Sequence, residues 1–370
     1  MALTVSREAN GNLTAVMTSL DQGNAKIPAT VAVHGDTLVL TMAMAHASYR
    51  AVVVGDSLHG SFVQGPALPL NMGRVAAIPA LVRPQEPKPP FPYDADEVSF
   101  ESVPGVRLSG TLTIPQGAGA FPAIVLVSGS GPQNRNEELL GHKPFLVIAD
   151  YLARHGIATL RYDDRGTSQS TRDFANATTA DFANDAEAAV RFLSRQPRIA
   201  HDQIGVIGHS EGWLIAPIVA THSSNVAFIV LLAGPGVPGD SLLLLQQAAI
   251  AKASGAPPAI IERGAEVNRT LFAILKSTPD SANAAAQNAP TAEKIVAALP
   301  AAEQAIAKRQ LAQGESDLMR PWMRYFVRYD PAPTLRKVRV PVLALNGTLD
   351  LQVPYAQNLA GDLDQNWLGR

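Results

Sequence analysis

The sequence contains no cysteine among its 370 residues. This absence excludes disulfide bonds, zinc sites built on thiolates and a cysteine nucleophile. It leaves the cellular compartment open, because a chain without thiols is compatible with both oxidising and reducing surroundings.

Long apolar runs and blocks of one charge are also missing. No run of eighteen or more apolar residues occurs, and residues 1–20 lack a charged start followed by an apolar segment, so we expect a soluble chain with neither a membrane span nor a signal peptide. The formal net charge is −2 and no basic run occurs, which argues against a nucleic-acid partner. We predict no cofactor and no metal site, and composition leaves the oligomeric state open.

The length of the chain suggests two domains. Residues 1–80 alternate short β-prone runs with Gly, Asp and Asn turns, which predicts a small antiparallel β domain. Residues 81–94 belong to a stretch whose repeated prolines favour an extended spacer and disfavour helix and central strand. We therefore place a linker at 81–94 and a second domain over residues 95–370.

The second domain alternates apolar strands with helical stretches. After a predicted hairpin, amphipathic runs separate apolar segments at 123–129, 157–163, 203–208, 226–234 and 340–347. Strands that are apolar throughout and separated by helices belong to a parallel sheet buried on both faces.

Residues 236–334 are far more than one crossover helix needs, and they are rich in Ala, Leu, Gln and Glu. They predict a helical cap insertion over the carboxyl end of the sheet, where the loops of such folds bind their ligands. The alternative is a solvated helical appendage with no part in recognition.

Gly208, Ser210 and Gly212 form a G-x-S-x-G motif. An apolar run precedes the motif and a helix-compatible stretch follows it, which is the order strand, sharp turn, helix. A serine on such a turn takes a strained backbone, and the flanking glycines remove Cβ atoms that would collide where strand and helix nearly touch. The pattern predicts Ser210 as a nucleophile; a merely structural tight turn is the alternative.

A serine nucleophile needs donors for the oxyanion, a base and a group that orients the base. The backbone N–H of Glu211, which follows the nucleophile, is the first expected donor. The second is expected from the loop after strand 123–129, where Gly129 permits a tight turn and Ser130 carries the N–H. The same Gly-Ser-Gly could open a dinucleotide-binding loop, but the further glycine of that pattern is replaced by Asn134.

Asp350 lies just past strand 340–347, at the edge expected for Ser210, and is the candidate for the orienting acid; an ordinary turn aspartate is the alternative. The base is missing from the pattern, because all eight histidines lie at or before His222 and none follows Asp350. His209 adjoins Ser210, but neighbours on a tight turn point in different directions. We therefore expect His209 to pack beside the turn rather than to act as the base.

Together these motifs resemble the bacterial α/β-hydrolase family of serine esterases and acyl hydrolases, in a branch with an N-terminal β-rich domain. The segments that carry the resemblance are SGSGPQNRNE, IGVIGHSEGWLIAP and VLALNGTLDLQVP. It implies an α/β fold with a mostly parallel sheet, Ser210 as nucleophile, Asp350 as acid, and Ser130 and Glu211 as backbone oxyanion donors. Family members normally continue past the acid to a histidine loop and a closing helix, and often carry an export signal, so we expect this chain to be truncated at both ends.

The first functional hypothesis is a carboxylic ester hydrolase that acts through an acyl-enzyme on a small to medium, uncharged ester. A peptidase of the same fold and a non-catalytic binding protein derived from a hydrolase are the alternatives. Because the base is missing from this chain, we expect activity to be weak or lost.

Overall fold

The computed structural model describes residues 1–45, 47–64, 67–78, 83–278, 281–298, 304, 308 and 317–359. Parts of the predicted linker and of the predicted cap insertion therefore lie outside the described residues. The chain forms two compact units: the first joins Met1–Glu86 with Glu138–Lys143, and the second joins Pro87–Glu137 with the chain from Pro144 onward.

The first unit is an antiparallel meander in which each of seven strands pairs with its neighbours in sequence. The strands are β1 (Ala2–Arg7), β2 (Leu13–Ser19), β3 (Ala25–His34), β4 (Thr37–Met42), β5 (Ala47–Val54), β6 (Ser57–Val63) and β7 (Ala67–Gly73). Met17, Leu40, Met42 and Tyr49 are fully buried, because alternate residues of a strand point to the same face of the sheet. The prediction of an antiparallel β domain is confirmed.

The second unit contains a mixed seven-stranded sheet. Its strands are β8 (Tyr93–Glu101), β9 (Arg107–Pro115), β10 (Phe121–Val127), β11 (Ala158–Tyr162), β12 (Ile199–His209), β13 (Val226–Leu232) and β14 (Val342–Leu345). They lie in the order β14-β13-β12-β10-β11-β9-β8, and the pairs β8/β9 and β9/β11 are antiparallel while the others are parallel. β8 begins within the last two residues of the predicted spacer.

Helices cover both faces of this sheet. They are α1 (Pro144–Arg154), α2 (Thr179–Leu193) and α3 (Gly212–His222). Ile124 and Ile207 pack with Phe145 of α1 on one face, whereas Val125 and Val206 belong to the larger core with α2 and α3 on the other. Strands buried on both faces explain why the sequence shows continuous apolar runs there rather than alternation.

Among the described residues between β13 and β14, the long elements are helices. The helices are α4 (Gly239–Ala253), α5 (Pro258–Ser277), α6 (Ser281–Ala297), α7 (Pro321–Arg328) and α8 (Ala332–Leu335), and a short α9 (Tyr355–Asn358) follows β14. Phe272, Leu275 and Val327 form a cluster of their own, and Phe326 of α7 joins the main core of the second unit. The predicted α/β fold with a helical cap insertion is confirmed.

No helix among these described segments combines the length and the apolar character needed to cross a lipid bilayer.

Candidate active site

Ser210 occupies a sharp turn between β12 and α3. Its backbone φ is 51°, in the left-handed region that a residue with a side chain rarely adopts. A Cβ atom on Gly208 would overlap the carbonyl oxygen of Gly212, and one on Gly212 would overlap that of Val127. The Ser210 N–H donates to the carbonyl oxygen of Leu232 at 2.9 Å. The turn is therefore fixed to the neighbouring strands, and it requires glycine on both sides of the serine.

The loop after β10 lies directly against this turn. β10 and β12 are parallel and in register at Val127 and Gly208, so their carboxyl ends lie at the same edge of the sheet. A Cβ atom on Gly129 would lie 3.0 Å from the Ser210 Cβ. The structure thus brings the loop after β10 and the G-x-S-x-G turn together. Gly129 lies against Ser210, and Ser130 is the next residue of the loop.

The backbone N–H groups of Ser130 and Glu211 donate to no acceptor within the described part of the protein. The neighbouring amides are paired: the N–H groups of Gly129 and Ser210 donate to Glu137 and Leu232. Two unpaired donors on the segments that meet at a serine are suited to bind an oxygen that acquires negative charge.

His209 pairs with a buried carboxylate rather than with the serine. Its Nδ1 lies 2.7 Å from Oε1 of Glu137, and the side chains of His209 and Glu137 are 41% and 8% exposed. Burial lowers the pKa of the His209 imidazole, but the hydrogen bond to Glu137 and the negative charges of Glu137 and Asp350 outweigh it and raise the pKa overall. The imidazole is held by Glu137 and biased towards its charged form.

Asp350 lies in the turn that follows β14. Its Oδ1 accepts hydrogen bonds from the N–H groups of Gln352 and Val353 at 2.8 and 2.9 Å. β12, β13 and β14 are parallel and adjacent, so this turn shares the sheet edge with Ser210, and the carboxylate is close enough to His209 to influence its pKa. Among the described residues, the histidine side chains make their hydrogen bonds to Tyr151, Gln196 and Glu137, and none of these bonds reaches Ser210 or Asp350.

The side chain of Glu211 is buried beside the turn. Its Oε1 accepts hydrogen bonds from Thr179 Oγ1 of α2 at 2.7 Å and from Trp322 Nε1 of α7 at 2.6 Å. Burial raises the pKa of Glu211 to about 7, although the two hydrogen bonds act in the opposite direction. The residue that follows the serine is therefore fixed from both sides, once from the core and once from the cap insertion.

A second carboxylate supports the loop after β10. Asp164 accepts from Ser128 Oγ and from the Gln133 N–H, both at 2.9 Å, and burial raises the pKa of its carboxyl group well above the usual value. Behind it, Arg165 donates two hydrogen bonds to Asp185, of 2.7 and 2.8 Å, and both side chains are almost fully buried. These contacts fix both ends of the loop that carries Ser130.

Sequence reasoning missed two of these contacts. Glu137 lies at the end of a polar loop, where no periodic pattern marks a buried residue. Trp322 lies 111 residues after Glu211, and no local pattern joins positions so far apart. One signal was available for Glu211. It stands between Ser210 and an apolar helix, a position that predicts a buried carboxyl group in need of hydrogen-bond donors.

Comparison with known proteins agrees with this architecture. The family described as BAAT / acyl-CoA thioester hydrolase C terminal matches residues 186–299, which include the G-x-S-x-G turn. Esterase EstD of Thermotoga maritima is 33% identical over 155 residues, which are 41% of this chain and 37% of that protein. The chain has an α/β-hydrolase fold and is similar to esterases and thioesterases over this part of its length. Other proteins similar to this α/β-hydrolase match it over comparable lengths.

Among these further matches, the peroxisomal succinyl-coenzyme A thioesterase of Mus musculus is 31% identical over 144 residues, 39% of this chain and 31% of that protein. The chain thus spans about a third of the length of these curated relatives. The crystal structure of the α/β hydrolase GrgF from a Penicillium species shows 16% identity and a TM-score of 0.45, covering 72% of this α/β-hydrolase and 84% of that chain.

Proposed function

We propose that this α/β-hydrolase is a serine hydrolase that cleaves carboxylic esters through an acyl-enzyme on Ser210. The observation that carries the proposal is the left-handed backbone of Ser210, φ 51°, at the end of β12 with the glycine loop against it. Strained backbone of this kind persists where the surroundings enforce it, and it is concentrated at functional sites. Here it presents the hydroxyl at the carboxyl edge of the sheet.

In the proposed reaction, Ser210 Oγ attacks the carbonyl carbon of the ester. The carbonyl oxygen becomes an oxyanion and accepts hydrogen bonds from the N–H groups of Ser130 and Glu211. Collapse of this intermediate breaks the bond to the alcohol, which leaves with the proton lost by Ser210, and the acyl group stays on Ser210. Water then attacks the acyl carbon, the acid is released, and Ser210 Oγ regains a proton from that water. Removing one oxyanion donor from comparable sites lowers kcat by about 10²–10³-fold.

Asp350 is proposed to orient an imidazole that takes the proton from Ser210. None of the eight histidines follows Asp350 in this sequence, and His209 is engaged by Glu137. We therefore propose that this chain by itself turns over slowly, through oxyanion stabilisation and substrate binding, which alone retain about 10³–10⁴-fold catalysis over water in related triad enzymes.

The test compares the chain with Ser210→Ala on p-nitrophenyl butyrate, butyryl-coenzyme A and an aminoacyl p-nitroanilide. Ser210-dependent release of p-nitrophenol supports an esterase, release of the free thiol supports a thioesterase, and release of p-nitroaniline supports a peptidase. Equal rates for the chain and for Ser210→Ala on all three substrates would show that the G-x-S-x-G turn is not the site. Binding of the esters without Ser210-dependent turnover would instead support a non-catalytic binding protein.

A further inference from the structure

Glu137 is a buried carboxylate that the proposed reaction does not use. It lies in the loop after β10, its side chain is 8% exposed, and its backbone φ is 50°. A left-handed conformation is unfavourable for a residue with a side chain. The hydrogen bond from its N–H to the carbonyl oxygen of Asn134 and the contacts of its carboxylate hold this residue in place.

One oxygen of Glu137 makes both contacts. Oε1 accepts a hydrogen bond from the Gly129 N–H at 2.7 Å and lies 2.7 Å from His209 Nδ1. Gly129 is followed by Ser130, and His209 is followed by Ser210. The carboxylate thus ties the loop after β10 to the end of β12, on the two segments that meet at the serine.

We infer that Glu137 is a positioning residue, which holds the Ser130 N–H where it can bind the oxyanion formed at Ser210. The inference rests on the proposed function and assigns to Glu137 no contact with the substrate. Hydrogen bonds to a charged acceptor are stronger than those between neutral groups, which suits a carboxylate to fixing a glycine-rich loop. An oxyanion exists only in the transition state and the intermediate. Loss of the positioning by Glu137 should therefore lower kcat rather than raise KM.

The negative charge of Glu137 requires compensation, because a bare carboxylate beside the loop would disfavour an oxyanion. His209 supplies it. The charged groups that face His209 are Glu137, from the loop after β10, and Asp350, from the turn after β14. Burial lowers the pKa of His209, but these two charges and the hydrogen bond to Glu137 raise it above its ordinary value of 6.5. At a pH below this raised pKa, the positive charge of His209 balances the negative charge of Glu137.

The experiment uses Glu137→Ala, Glu137→Gln and Glu137→Asp, with the exposed neighbour Glu138→Ala as the control. Ser210-dependent hydrolysis of p-nitrophenyl butyrate is measured as the rate above that of Ser210→Ala. Glu137→Ala should lower kcat about tenfold or more and leave KM within about twofold. Glu137→Asp keeps the charge but is one methylene too short for both contacts, so it should also be slow. Glu137→Gln keeps an acceptor oxygen at full length and should stay within about threefold.

Two readouts do not depend on turnover. The Gly129 amide should exchange with solvent faster in Glu137→Asp than in Glu137→Gln, since only the longer side chain reaches it. The His209 ring should titrate at lower pH in Glu137→Gln than in the unaltered chain, since the negative partner is gone. If Glu137→Ala does not fold, the comparison of the Gln and Asp variants decides.

Outcomes that overturn the inference are distinct from those that overturn the function. A normal kcat in Glu137→Asp, or a Gln variant as slow as the Asp variant, overturns the positioning role. If hydrolysis in these variants still depends on Ser210, the proposed serine hydrolase function stands. Hydrolysis that persists in Ser210→Ala removes the proposed function and this inference with it. A loss of kcat in Glu138→Ala as large as in Glu137→Asp also overturns the positioning role, because Glu138 is exposed and the Gly129 N–H donates to Glu137.

Discussion

Gly208 and Gly212 approach each other so closely that a methyl group on the first would overlap the carbonyl oxygen of the second. The contact lies where β12 turns into α3, and Ser210 stands between the two residues. The turn can therefore form only while both positions lack a side chain.

We expect Gly208→Ala to destabilise the second unit by about 2–3 kcal/mol, because backbone atoms cannot make room as a flexible side chain could. Gly264→Ala is the matched control: this glycine lies inside α5 with nothing within 4 Å of the added atom. It should raise stability by about 0.5–1 kcal/mol through helix propensity. Urea unfolding followed by fluorescence of Trp213 and Trp322 measures both changes. A Gly208→Ala variant as stable as the unaltered chain would contradict the close approach.

Arg165 should contribute strongly to stability because its partner is buried. Asp185 is 1% exposed and receives two hydrogen bonds from the guanidinium. Arg165→Leu leaves that carboxylate unpaired in the core and is expected to cost about 3–5 kcal/mol. Arg269→Ala, which breaks an exposed pair with Glu262, should cost about 1 kcal/mol or less. The prediction fails if the two variants shift the urea midpoint equally.

The stability of the protein should depend on pH through Glu211. Burial raises the pKa of this carboxyl group from 4.5 to about 7 in the folded state. The raised pKa makes its full contribution to the free energy of unfolding below pH 4.5, and this contribution is lost as the pH rises towards 7. Relative to Glu211→Gln, which accepts the same hydrogen bonds but does not titrate, the unaltered chain should lose about 3 kcal/mol of unfolding free energy across this window. Urea unfolding at about pH 4 and pH 8 measures the difference, and a constant gap between the two proteins would refute it.

The fold could be predicted from the sequence because its signals are local. Continuous apolar runs predicted β10 to β14 to within a few residues. Short β-prone runs separated by Gly, Asp and Asn turns predicted the meander of the first unit. The turn at Ser210 was recognisable because three residues within five positions carry its whole geometry.

The supporting contacts could not be predicted because they join distant positions. Residues 138–143 belong to the first unit, and Arg83 donates to the carbonyl oxygens of Leu140 and Gly141, although this segment directly follows the loop that carries Ser130. Nothing in the polar sequence around Glu137 distinguishes a buried carboxylate from an exposed one. The role of Asp350 as the orienting acid stays a prediction.

The meander of the first unit pairs each strand only with its neighbours in the chain, so its strand pairings all lie between Ala2 and Gly73. In the second unit, by contrast, β13 pairs with β14, which begins 110 residues after β13 ends at Leu232. Sheets built from short-range pairings form faster than those that need long-range ones. During synthesis on the ribosome, the strand pairings of the first sheet can thus form before the segments that carry Ser210 and Asp350 have both emerged.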